Sequence, residues 1–127
     1  MESSAAAEAR ALIERGSGPN VAATATGTAD RRLHPRRLPL GPEQAAAAVA
    51  RAVERLPRWR LTARRGEVIS ATRTTRLFRF VDDIVVLIEP VEDGTLVRAR
   101  SASRVGRGDL GQNRRNLAEL WRALESG

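Results

Sequence analysis

The 127-residue sequence contains no cysteine, no tyrosine and no lysine, and only 3% of its residues are aromatic. Without thiols, disulfides and thiolate chemistry are excluded, which fits a reducing compartment. So few aromatics require an aliphatic core of Val, Leu, Ile and Ala, with Trp59, Phe78, Phe80 and Trp121 as its large anchors. No run approaches the ~18 apolar residues of a membrane-spanning helix. The opening stretch "MESSAAAEARALIERGSG" also lacks the basic start and apolar centre of a signal peptide. A cytoplasmic location is therefore expected.

The hydrophobic fraction, 42%, suits one globular domain and argues against wholesale disorder. The net charge is +7, and all 22 basic residues are arginine. Arginine without lysine, beside abundant alanine, matches a codon bias toward GC-rich triplets. The arginines are spread along the chain rather than gathered on one helix or arm. The charge therefore reads as general anion attraction, and specific nucleic-acid binding is not expected.

Residues 1–18 read as an N-terminal tail or short helix, closed by Gly16-Ser17-Gly18-Pro19. Residues 19–127 read as a single globular α+β domain. Its first part is extended, with strand pieces near Val21–Thr26 and Arg37–Leu40. A middle helix over about 42–56 opens on Gly41-Pro42-Glu43, carries an apolar stripe of Ala46, Val49, Ala50, Val53 and Leu56, and stops at Pro57. The period then changes to two. An antiparallel meander of four to five strands is expected: 59–64, 67–74 after an Arg65-Gly66 turn, 77–81 with Phe78 and Phe80 on one face, the apolar "IVVLIEPV", and 95–104 after Asp93-Gly94. Asp82-Asp83 is expected to separate two strands. Along the last strand Val97, Ala99, Ser101 and Ser103 face one way, and Leu96, Arg98, Arg100 and Arg104 the other.

A C-terminal helix over about 109–125 is expected to start at Asp109 as N-cap, with Gln112 as its capping-box partner. Its buried stripe would hold Leu110, Leu117, Leu120, Trp121 and Leu124. Asn113 falls on that stripe and needs partners, either loop backbone or the Ser101/Ser103 face of the last strand. Between strand and helix, Gly106, Gly108 and Gly111 spell the dinucleotide-loop fingerprint. That fold needs a parallel β-α-β unit, whereas these strands read as antiparallel hairpins and no strand follows the helix, so the nucleotide reading fails. Gly106 and Gly108 are read as residues that let the chain turn sharply.

The segment "FRFVDDIVVLIEPVEDGTLVRARSASRVGRGDLGQNRRNLAEL" resembles the family called domain of unknown function 1499. Phe80, Asp82, Asp83, Arg100, Ser101, Ser103, Arg104, Gly106, Asp109, Gly111 and Asn113 carry the resemblance, which is strong over 78–120 and looser over 19–127. Val21 stands where the family often has Cys after Pro-Asn, so no thiol role transfers. Ser is common at the position of Gly108, which therefore reads as a local substitution. The resemblance implies a small domain found in bacteria and in plastid-bearing lineages, sometimes with a membrane or export segment not seen here, and no established activity.

The expected function is a non-enzymatic binding or interaction module. Its anion-attracting corner would comprise Ser101, Ser103, Arg104, Gly106, Arg107, Asp109, Asn113 and Arg114 around a helix N-terminus. Arg104 would pair with Asp109 or with exposed carbonyls. A small anionic ligand or a protein partner would dock there, without a cofactor or a metal. Alternatives are an enzyme using clustered Asp and Arg, which requires Asp82 and Asp109 to converge in a pocket, and a non-specific nucleic-acid binder. Asp82 and Asp83 are the alternative cation site, unless they form the turn or pair with Arg79, Arg98 or Arg100. His34, the lone histidine, reads as a solvent-facing loop residue with no nucleophile elbow to recruit it.

Overall fold

The structure, a computed structural model, describes residues 2–106 and 108–127. The chain forms α1 (Ser4–Glu14), β1 (Val21–Ala23), a 3-10 turn (Arg31–Leu33), β2 (Arg36–Leu38), α2 (Pro42–Arg55), β3 (Trp59–Arg65), β4 (Val68–Thr74), β5 (Val81–Val91), β6 (Gly94–Ser103) and α3 (Gln112–Ser126). Strands β3 to β6 make an antiparallel meander with β5 at its centre. The short β1 and β2 lie end to end along the free edge of β6, pairing with Arg100–Ala102 and Thr95–Val97. The class is α+β, with the expected middle and C-terminal helices.

Alternation along the strands divides the molecule into two layers. Ile84, Val86 and Ile88 of β5 and Val97 and Ala99 of β6 are buried with Val49 and Val53 of α2 and Leu117, Leu120 and Trp121 of α3. Fully buried Ala45 and Ala52 keep α2 close to the sheet. Trp121 donates its indole N–H to the Arg32 carbonyl at 2.8 Å and carries the Arg36 guanidinium over its ring. On the other face, α1 buries Ala6, Ala9 and Ile13 against Val68 and Leu87. Ser3 caps it by accepting from the Ala6 N–H at 3.1 Å.

Two expectations are corrected. Residues 77–80 do not form a strand, and Val81 opens β5. Thr75 and Phe80 close a loop on each other: the Thr75 N–H donates to the Phe80 carbonyl, and the Phe80 N–H to Thr75 Oγ1, each at 2.8 Å. Arg79 takes a left-handed φ of 56° inside it. Phe78 and Phe80 are therefore not core anchors. They stack on each other, ring centroids 5.5 Å apart, at the surface. Nor do Asp82 and Asp83 separate strands. Both lie within β5, opposite Ser103 and Ala102, so that Asp82 points into the core layer and Asp83 away from it.

Candidate functional site

Where β6 gives way to α3, small and amide side chains replace the aliphatic core. Ser101, Asn113 and Asn116 are fully buried, and Asp82 is 2% exposed. Buried polar atoms need partners, and here they satisfy one another. The Ser101 hydroxyl donates to Asn113 Oδ1 at 2.6 Å. Asn113 Nδ2 reaches Ser103 Oγ at 2.8 Å, Asp109 Oδ2 at 2.7 Å and the Asn20 carbonyl at 3.0 Å. Asn116 Nδ2 donates to Asp82 Oδ2 at 2.8 Å and to Ser101 Oγ at 3.1 Å, while its Oδ1 accepts from Gln112 Nε2 at 2.8 Å. A continuous polar chain thus runs from Gln112 to Asp109. The Pro19-Asn20 pair staples it from outside: Pro19 O accepts from the Asp109 N–H, and Asn20 Oδ1 from the Gly108 N–H at 2.6 Å.

The helix start differs from expectation. α3 begins at Gln112 with Gly111 as N-cap, and Gln112 turns to Asn116 rather than back to Asp109. Asp109 still serves the helix: its carboxylate accepts from the N–H groups of Gly111 and Asn113 at 2.9 and 3.1 Å. Leu110 is no part of the buried stripe. Its φ is 51° and it is 94% exposed. Left-handed angles fall on Gly108 and Gly111, both at φ 80°, and not on Gly106. Gly108 is thus shaped to the turn.

Of the predicted anion-site residues, Ser101, Ser103, Asp109 and Asn113 meet in this network, with Gly106 in the connection beside Asn20. Arg107 lies outside the described residues. Arg104 does not pair with Asp109; it holds Asp83 in a fork of two 2.9 Å hydrogen bonds on the opposite face of the sheet. Arg114 pairs with Asp30 at 3.2 Å. Asp109 takes the Gly111, Gln112 and Asn113 N–H groups at the helix start. Asp82 and Asp83 diverge, and no cluster of three or more metal-ligating residues occurs among the described residues. His34 is half-buried rather than solvent-facing, its Nε2 2.7 Å from the Thr28 carbonyl.

A pocket of about 400 Å3 opens at this corner. Leu77, Phe78, Phe80, Val105 and Leu110 line its mouth, and Asp82, Ser103 and Asp109 lie at its base. Asp82 and Asp109, the carboxylates on which the enzyme alternative rests, both border this pocket. Burial pushes Asp82 above the ordinary carboxylate range, against the hydrogen bonds of Asn116 and Ser103, and Asp109 adds to the rise. At Asp109 burial also acts upward, but hydrogen bonds from the Asn113 side chain and the Gly111 and Asn113 N–H groups outweigh it, and the net shift is downward. Sequence reasoning missed Asn116, Asn20 and the 75–80 loop. Asn116 had a signal, an amide three residues after Asn113 on the same helix face.

The opposed shifts predict a pH profile. Asp30, held by Arg32 and Arg114, falls from 3.8 to about 2. Asp30 and Asp109 bind protons less readily in the fold, so the stability they contribute is present above their unfolded values and lost as pH falls through the folded ones. Asp82 has the opposite sign: its contribution is complete at low pH and lost as pH rises through its raised value. In urea unfolding across pH, Asp82→Asn is expected to match or exceed the wild type at neutral pH. Asp30→Asn is expected to flatten the loss between pH 4 and about 2.

Residues 6–124 match the family described as "Protein of unknown function (DUF1499)". No curated protein matches the chain. Among solved structures, TTHA0849 from Thermus thermophilus is similar over 72% of this chain and 92% of its own, at 13% identity and a TM-score of 0.39. No helix among the described residues is long and apolar enough to cross a membrane.

Proposed function

The chain belongs to the DUF1499 family of proteins of unknown function, and we propose that it is a binding domain that takes the apolar body of a small ligand into the corner pocket. The ligand's head is a hydrogen-bond donor, such as an amine, that meets Asp82. One observation carries this reading: the large hydrophobic side chains exposed among the described residues, Leu77, Phe78, Phe80, Val105 and Leu110, all ring this one pocket. Scattered apolar side chains are ordinary on a surface, but a contiguous set around a concavity marks a binding site. The volume lies in the range of about 300–1,000 Å3 that small-molecule sites occupy. A donor head is favoured at the base because the carboxylate acceptors Asp82 and Asp109 lie there; Arg76 and Arg115 also border the pocket, Arg76 exposed to solvent and Arg115 bonded to the Leu110 carbonyl and Gln112 Oε1.

The test is a thermal-shift comparison of 2-phenylethylamine with phenylacetate. The amine should raise Tm and the acid should not. Asp82→Asn should abolish the response, and Leu110→Ser, at an exposed position, should weaken binding several-fold with little change in the unliganded Tm. Equal responses to amine and acid, or none to either, would overturn the reading.

The opposed shifts of Asp82 and Asp109 favour one second reading, an enzyme with Asp82 holding a proton and Asp109 ionised. On that reading Asp82→Asn abolishes turnover while ligand affinity changes only a few-fold.

A further inference from the structure

Alternation along β6 sends Arg98 and Arg100 to the face opposite the corner network, where α1 lies. That helix covers only part of the face. Beside it runs a groove of about 360 Å3, bordered by Ala9 and Leu12 of α1, by Ser70 and Val85 of the sheet, and by Arg65 and Arg100. Arg98, Arg100 and Arg104 differ in one respect. Arg98 has Glu89 at 3.3 Å and Arg104 has Asp83, whereas Arg100 has no carboxylate partner among the described residues. Its Nε, like that of Arg98, is buried and makes no hydrogen bond. Burial, reinforced by the like charge of Arg15, pushes its guanidinium below the ordinary range. A guanidinium partly withdrawn from water without a counter-charge is costly, so exchanging it for a neutral amide should not destabilise the fold.

We infer that Arg100 anchors a second site, independent of the corner pocket, for a monocarboxylate with a short apolar body. The carboxylate supplies the acceptors that the guanidinium lacks, and the apolar body lies along Leu12, Ala9 and Val85. Asp83 does not compete, because Arg104 uses both of its oxygens. Glu8 also borders the groove without an ion-pair partner among the described residues, and its negative charge disfavours a dianion such as phosphate.

Calorimetric titration of the full chain with hexanoate, hexylamine and inorganic phosphate tests this. Hexanoate should bind, and Arg100→Gln should weaken it by at least about tenfold. Leu110→Ser should leave it within about twofold, Arg104→Gln should weaken it by freeing Asp83 to compete for Arg100, and Glu8→Gln should tighten it. The Tm of unliganded Arg100→Gln should equal or exceed that of the wild type. A lowered Tm would assign Arg100 a structural role and overturn the inference. Absence of hexanoate binding, equal binding by Arg100→Gln, or equal affinity for phosphate or hexylamine would overturn it too.

Discussion

Replacing Asn113 with leucine should cost about 3–5 kcal/mol of folding free energy, although leucine is nearly the same size and apolar. The position is fully buried, on a helix whose other buried residues include Leu117 and Leu120, so hydrophobicity alone would favour the change. The loss comes from what the amide leaves behind. Ser101 Oγ loses its acceptor, while Ser103 Oγ, Asp109 Oδ2 and the Asn20 carbonyl lose a donor. Each buried group left unpaired costs about 1–3 kcal/mol, and Asn20 O and Asp109 retain other partners, which holds the sum below the simple total. Asn113→Asp should be worse near neutral pH than in acid, because a carboxylate cannot donate to Asp109 or Asn20. Urea unfolding of both variants at two pH values measures these effects. A Leu variant within about 1 kcal/mol of the wild type would mean that the network does not hold the corner.

Gly94→Ala should cost about 2–4 kcal/mol. Gly94 opens β6 at a φ of 152°, and a Cβ built there would press directly into the Leu38 carbonyl oxygen of β2. That neighbour is backbone and cannot rotate away. Relief requires β2 to leave β6, which breaks the Arg36–Leu38 pairing and the Thr95 hydroxyl's hydrogen bond to the Leu40 carbonyl at 2.7 Å. Gly27→Ala separates the two sources of cost. Gly27 also has a positive φ, 76°, but nothing lies within 4 Å of its Cβ position. Only conformational strain applies there, about 1 kcal/mol. Equal melting temperatures for the two variants would refute the clash.

Regular periodicity made the helices and most of the meander legible, because it follows from burial on one face. The stripe on α2 and the alternation of β6 were read directly, as was the need of Asn113 for partners on the Ser101/Ser103 face. Errors arose where one pattern suits two structures. Phe78 and Phe80 alternate as in a strand, yet Arg79 at a left-handed φ and the Thr75–Phe80 hydrogen bonds fold the stretch into a loop. Paired aspartates usually mark a turn. Here Asn116, thirty-four residues away, provides the donor that allows Asp82 to stay inside a strand. Arg104 was placed on the correct face, but its pairing with Asp83 rather than Asp109 depends on the β5–β6 register, which a local pattern does not encode. The pocket was hidden for the same reason: its apolar mouth joins the 75–80 loop to Val105 and Leu110, which meet only in three dimensions.

The most direct test of the corner as a binding site is an amide NMR titration of the 15N-labelled chain with 2-phenylethylamine, repeated on Asp82→Asn. Saturable shifts should concentrate at residues 75–82 and 103–112, leave α1 and the groove at Arg100 unmoved, and vanish in the variant. Shifts scattered over the surface, or the same shifts in Asp82→Asn, would contradict the account.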